Sequence, residues 1–280
     1  MGSFIERLAA GPETLLWLDY ACYAGALLAG GEAPWLDAAA CIAWERKAQS
    51  LLRSDVISVP IEAICSGWLE NHPALRAEMA AKSRVVYALK TLLAAEMLRR
   101  YLIEFAHALR ATFAGLTLAL VCPSPKRWIA AAHGQACGDS TRIDIGEDEV
   151  DSATLYVADF LRAFRDCGVN VLLLQESVES EPASAQDVAA YRAALNVAAN
   201  YHWDAGLHVP GIRFPPALAA DVAFLISPRP ISGLPAGQEI PREFWQGAPA
   251  PDSPAGGFRF ARIPADAVPE TVLQRLALLR

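Results

Sequence analysis

Short apolar runs alternate with longer helical patterns along this chain, and that alternation confines it to repeated βα units around a parallel sheet. Eight runs read as strands: Thr14 to Asp19, Val56 to Pro60, Arg84 to Lys90, Leu116 to Cys122, Asn170 to Gln175, Gly206 to Pro210, Val222 to Ser227 and Gly257 to Ile263. The fourth, fifth and seventh are nearly continuous in Val, Leu, Ile and Phe, as expected of strands covered on both faces. Eight parallel strands with helices between them close into a (β/α)8 barrel, and a chain of 280 residues has the length of one such barrel. The expectation is an α/β protein in which residues 1–280 form a single (β/α)8 TIM barrel domain.

Helical patterns fill the intervals at Trp35 to Leu52, Pro73 to Ala81, Thr91 to Ala111, Glu149 to Cys167, Ala185 to Tyr201 and Pro269 to Leu279. In the fourth of these, Leu155, Ala158 and Leu161 fall at helical spacing on one apolar side, and Gly168 is suited to a left-handed cap before the next strand. Pro123 and Pro125 stop one strand and open the helix that carries Trp128 and Ile129. The Pro/Gly-rich stretch at about 227–256 reads as an irregular loop with a short helix around Arg242 to Trp245.

Composition narrows the partners. A net charge of -7 gives no general attraction to phosphate backbones or anionic lipid, so nucleic acid and membrane surfaces are not expected partners. The longest apolar runs, such as Gly115 to Pro123, are far below the roughly 18 residues of a membrane span. The segment Met1 to Arg7 has no basic stretch before an apolar signal core, so a cytoplasmic location is expected. The six cysteines form no CxxC pair and are read as structural thiols without a disulfide. His202 closes a helix and His208 lies in the next strand, so no metal-ligand spacing is established and neither a metal nor another cofactor is expected.

Two stretches, Leu116 to Pro125 (LTLALVCPSP) and Phe160 to Glu176 (FLRAFRDCGVNVLLLQE), resemble the central barrel of the uroporphyrinogen decarboxylase and cobalamin-independent methionine synthase superfamily. There an apolar strand ends in a Gly/Ala/Pro-type turn, and a later helix leads through an AG(V/A) turn into a strand ending in an acid. The likeness covers about half the chain and implies the barrel fold. It also implies decarboxylase-type lyase chemistry on an organic acid, with methyl or alkyl transfer as the alternative within the superfamily and a non-catalytic ligand- or partner-binding barrel as a third reading. The chain departs from both families. Nothing like the RQAGRY-type loop of the decarboxylases surrounds Trp17 to Ala21, and the His-x-Cys element and later Cys of the zinc methyltransferases are missing.

Active groups of such a barrel sit at the C-terminal ends of its strands. Glu176, ending an apolar strand, is read as a desolvated general acid/base; Asp19 at the end of the first strand and His208 within the sixth are the other catalytic candidates. Lys90, Arg127 and Arg229 are candidate binders of a substrate carboxylate, the two arginines through paired hydrogen bonds from Pro-bounded turns. Glu62 and Gln175 complete the candidate binding set. The expected partner is a small organic acid, with a homodimer as the admissible assembly.

Overall fold

The computed structural model describes residues 3–10, 14–138, 143–176, 185–210, 222–229, 234–252 and 256–280. Its sheet has eight parallel strands: β1 (Leu16–Asp19), β2 (Val56–Pro60), β3 (Thr117–Pro123), β4 (Val171–Gln175), β5 (Asp204–His208), β6 (Phe224–Ser227), β7 (Ala236–Ile240) and β8 (Phe258–Arg262). Ladders join them in the order β1-β8-β7-β6-β5-β4-β3-β2, which makes a single, nearly closed (β/α)8 TIM barrel. The remaining seam, between β1 and β2, is bridged individually. Asp55 Oδ2 accepts from Leu16 N at 2.7 Å, Ser54 Oγ accepts from Leu18 N at 3.0 Å, and Trp17 Nε1 donates to Ser58 Oγ at 3.0 Å.

Alternation along each strand divides the apolar residues into two cores. Inside the barrel lie Trp17, Val56, Ala119, Val171, Leu173, Phe224, Ile226, Phe258 and Phe260. Leu172, Leu174 and Leu207 face the surrounding helices instead. Helix α1 (Phe4–Ala10) plugs the N-terminal end: the Phe4 ring meets Phe258 at 5.1 Å and Phe224 at 5.4 Å, and Ile5 N donates to Asp204 at the start of β5. Room for these rings comes from Gly206 in β5, where a Cβ atom would lie 2.1 Å from the Phe224 ring.

The outer layer comprises α2 (Ala21–Ala29), α3 (Ala38–Leu52), α4 (Ile61–Asn71), α5 (Pro73–Met79), α6 (Val85–Ala94), α7 (Glu96–Thr112), α8 (Pro125–Cys137), α9 (Glu147–Arg162), α10 (Ala185–Ala190), α11 (Arg192–Asn200) and α12 (Pro269–Ala277). Their ends follow local chemistry. Asp37 caps α3 by accepting from Ala40 N, Ser124 caps α8 with Pro125 behind it, and α9 starts with three acids facing the positive end of its dipole. No helix among the described residues is long and apolar enough to cross a membrane.

Two strand assignments differ from the sequence reading. Arg84 to Lys90, expected as the third strand, instead starts helix α6, whose buried Val86, Leu89 and Leu93 repeat at helical spacing. Four helices, α4 to α7, therefore connect β2 to β3. The missing strand is β7, inside the stretch expected to be an irregular loop, while the short helix expected near Arg242 is a 3-10 turn over Arg242–Gln246. Strand β7 reads Ala-Gly-Gln-Glu-Ile and carries almost no β-propensity. Its ladders to β6 and β8, and the Gln238 amide donating to Pro228 O at 2.9 Å, hold it in the sheet. Residues 230–233 and 253–255 of that expected loop lie outside the described residues. Leu155 is a further correction: the buried face of α9 runs through Val150, Ala153, Val157 and Leu161, and Leu155 points to solvent.

Candidate active site

At the C-terminal end of the barrel a cleft of about 550 Å³, counted to its open mouth, lies over the ends of β1, β2 and β4. Its walls are mostly apolar, with aromatic rings from Trp17 and Phe260 on the strands, Tyr20 after β1, and Trp35 and Trp44 beside them. Polar groups reach it from Asp19, Glu45, Ser58 and Gln175. A concave, largely apolar site with few convergent polar groups is the usual form of a small-molecule site.

Asp19 and Arg262 are register partners on β1 and β8, and Arg262 Nε donates to Asp19 Oδ2 at 2.8 Å. Burial works to lower the Arg262 pKa, but the charge of Asp19, with a further contribution from Glu239, outweighs it and holds the guanidinium above its ordinary value. The pair is part-exposed, so its worth is in positioning a cation at the mouth more than in stability.

Glu45 is the most perturbed acid of the cleft. It stands on the buried face of α3 with Cys41, Trp44 and Ala48. Desolvation pushes its carboxyl from 4.5 to about 7, against the opposing effect of a hydrogen bond from Tyr20, whose Oη donates to Glu45 Oε1 at 2.6 Å. The Tyr20 phenol is itself held well above its ordinary value, first by burial and then by Glu45. Glu45 is therefore a carboxyl that carries its proton for part of the time near neutral pH, beside open space.

On the opposite side of the mouth, His208 is buried on β5 and turned inward, its ring 4.9 Å from that of Phe260. Gln175 Nε2 lies 3.5 Å from His208 Nδ1, and Glu239 Oε1 lies 3.5 Å from His208 Nε2. Polar side chains thus follow one another round the barrel end from β4 through β5 and β7 to β8 and β1.

The structure brings together three of the residues singled out from sequence: Asp19, His208 and Gln175. Glu176 has the opposite facing. It is buried, but its carboxylate accepts from Tyr191 Oη at 2.9 Å between the sheet and the helices, where burial raises its pKa above the ordinary value against hydrogen bonds from Tyr191 and Ser124. Lys90, on α6 instead of at a strand end, is exposed, with its ammonium 5.6 Å from the centre of the Tyr156 ring. Arg127 and Glu62 form an ion pair between the first turns of α8 and α4, and Arg127 also reaches Gln175 O at 3.5 Å. Arg229 is exposed and its carbonyl accepts from Ser227 Oγ.

Sequence reasoning missed Glu45, Arg262 and Glu239. Two were accessible: Glu45 interrupts the apolar stripe Cys41, Trp44, Ala48, Leu52, and Arg262 continues the alternation of Phe258 and Phe260 into the barrel. Glu239 was hidden because its strand was. All six cysteines are free thiols, and among the described residues no three His, Cys, Asp or Glu side chains gather as metal ligands. No protein-family model matches the chain, and no curated protein matches it.

Proposed function

We propose that the chain is an acid–base enzyme acting on a small organic acid at the C-terminal mouth of the barrel, of the decarboxylase-type lyase class. The observation that supports this most is Glu45, a carboxyl raised to about 7 that lines an aromatic cleft and is oriented by Tyr20. A group titrating near the working pH both gives and takes protons efficiently. Arg262 bonds Asp19 through its Nε, and its two amino groups, which make no hydrogen bond among the described residues, would take a substrate carboxylate. In the lyase direction the bond to the departing carboxyl group breaks, its electron pair stays on the substrate carbon, carbon dioxide leaves, and the Glu45 proton goes to that carbon.

The resemblance of Leu116 to Pro125 and Phe160 to Glu176 to the uroporphyrinogen decarboxylase and methionine synthase barrels supports the same class, although the acid it pointed to, Glu176, faces the helices. Free thiols throughout fit a reducing compartment, in keeping with a cytoplasmic enzyme.

The test is incubation with a panel of aromatic and short dicarboxylic acids in D2O, following deuterium incorporation at carbon by NMR and release of carbon dioxide. At least one acid is expected to exchange or decarboxylate with the native protein and to do so roughly 100-fold more slowly with Glu45→Gln. Inertness of the whole panel, or equal rates in the variant, would overturn the proposal.

A further inference from the structure

We propose that His208 and Glu239 form a hydroxyl-recognising recess beside the cleft, and that the molecule bound there is a hydroxylated organic acid. This rests on the reading of the cleft as the substrate site but not on the chemistry proposed for it.

The starting point is an unmet hydrogen-bonding requirement. Among the described residues neither His208 Nε2 nor Glu239 Oε2 has a hydrogen-bond partner, although both atoms are out of contact with solvent. Buried polar atoms are nearly always paired, and two orphans on side chains that approach to 3.5 Å mark a place for a missing group. Both side chains point into the barrel. His208 shares the facing of Gly206, over which the Phe224 ring lies, and Glu239 shares that of Gly237, where a Cβ would meet Phe258 and Ile226.

The hydrogen-bonding character of the two orphans selects the group. The Glu239 carboxylate on the Nε2 side favours the tautomer that carries its hydrogen on Nε2, which leaves Nδ1 as the acceptor on the side of the Gln175 amide. His208 Nε2 is thus a donor without an acceptor. At 3.5 Å the nearer Glu239 oxygen is too far for a good bond, and the other oxygen is an acceptor without a donor. A hydroxyl satisfies both at once, accepting from Nε2 and donating to the carboxylate. A carboxylate or an ammonium group satisfies one and repels or ignores the other.

The recess adjoins the cleft through Gln175 and Phe260, which line the cleft and touch His208. Arg262 lies near enough for the Glu239 charge to act on it. A hydroxyl in the recess and a carboxylate on Arg262 are therefore compatible within one small molecule.

The experiment is calorimetric titration of the native protein with matched pairs of acids at millimolar concentration: benzoate with 3- and 4-hydroxybenzoate, phenylacetate with mandelate, and propanoate with lactate. At least one hydroxylated member is expected to bind about tenfold or more tightly than its match, since a site built to bond a hydroxyl rejects the analogue lacking it. In Glu239→Met, where the acceptor is lost and the length kept, that preference is expected to disappear; His208→Phe, which removes the donor and keeps a ring, gives a second variant should the first fail to fold. Equal affinity within every pair would mean that water alone fills the recess and would overturn the proposal. So would absence of binding across the panel, or a preference that survives in the folded variants. A hydroxylated acid that binds selectively yet shows neither exchange nor decarboxylation would defeat the proposed reaction and leave the recess standing.

Discussion

Glu45 couples the cleft to stability through its proton. The unfolded chain releases that proton near 4.5 and the folded chain near 7, so between those values the folded state holds more protons and stability falls as pH rises. A shift of this size corresponds to a loss on the order of 3 kcal/mol, complete above about pH 7. Glu45→Gln stays neutral and still accepts from Tyr20. Its melting temperature, measured beside that of the native protein from pH 4.5 to 8, is expected to gain on it by roughly 5 °C across the range. A constant difference would show that Glu45 does not keep its proton in the folded state. Glu176, by contrast, is a buried acid whose raised pKa belongs to the packing of β4 against α11, a reminder that perturbation alone does not place a group in a site.

At the scale of elements, the barrel interior depends on where side chains are missing. Gly206 and Gly237 give the strands that flank β6 no side chain at the level of the large rings, and Phe224 and Phe258 occupy that volume. Gly206→Ala would force a methyl group to within 2.1 Å of the Phe224 ring, and a closed barrel gives the ring nowhere to move. The expected cost is about 3 kcal/mol, at the upper end of ordinary overpacking, read from chemical denaturation. Adding Phe224→Leu should recover part of it. If Gly206→Ala is as stable as the native chain, the ring packing assigned to the interior is wrong. The same packing explains β7, whose Gly237 is acceptable in a strand because its neighbours fill the space in front of it.

For the molecule as a whole, the two ends of the barrel have separate tasks. The N-terminal end is closed by α1, with Phe4 buried on Trp17, Phe224 and Phe258, while the opposite end holds the cleft. Phe4→Ala should therefore lower stability by about 3 to 5 kcal/mol. It should leave the affinity for any acid bound at the mouth unchanged within about twofold at temperatures where the variant is folded, because Trp17, which touches Phe4 and also lines the cleft, is held separately by the hydrogen bond from its Nε1 to Ser58 Oγ. Thermal melts paired with calorimetric binding measure both, and a change in affinity as large as the change in stability would show that the plug and the cleft are mechanically linked.

What the sequence determined by itself is what local pattern can encode. Continuous apolar runs placed β3, β4 and β6, prolines and Ser124 placed the start of α8, and strict alternation in Phe258, Phe260 and Arg262 sets which side chains enter the barrel. From these followed the barrel fold and the place of Asp19, Gln175 and His208 at its strand ends, although one of the eight expected strands is helix α6 and β7 is not among them. Tertiary structure decided the rest, because the deciding energy came from distant neighbours. Val85 to Lys90 has residues that suit a strand, and becomes helix because α8 and α9 bury its helical face. Ala236 to Ile240 has residues that suit a loop, and becomes a strand because β6 and β8 supply both ladders. Glu45 reads as one charge on a surface helix until Tyr20 and the aromatic walls remove its water, and only that desolvation makes it the acid of the cleft.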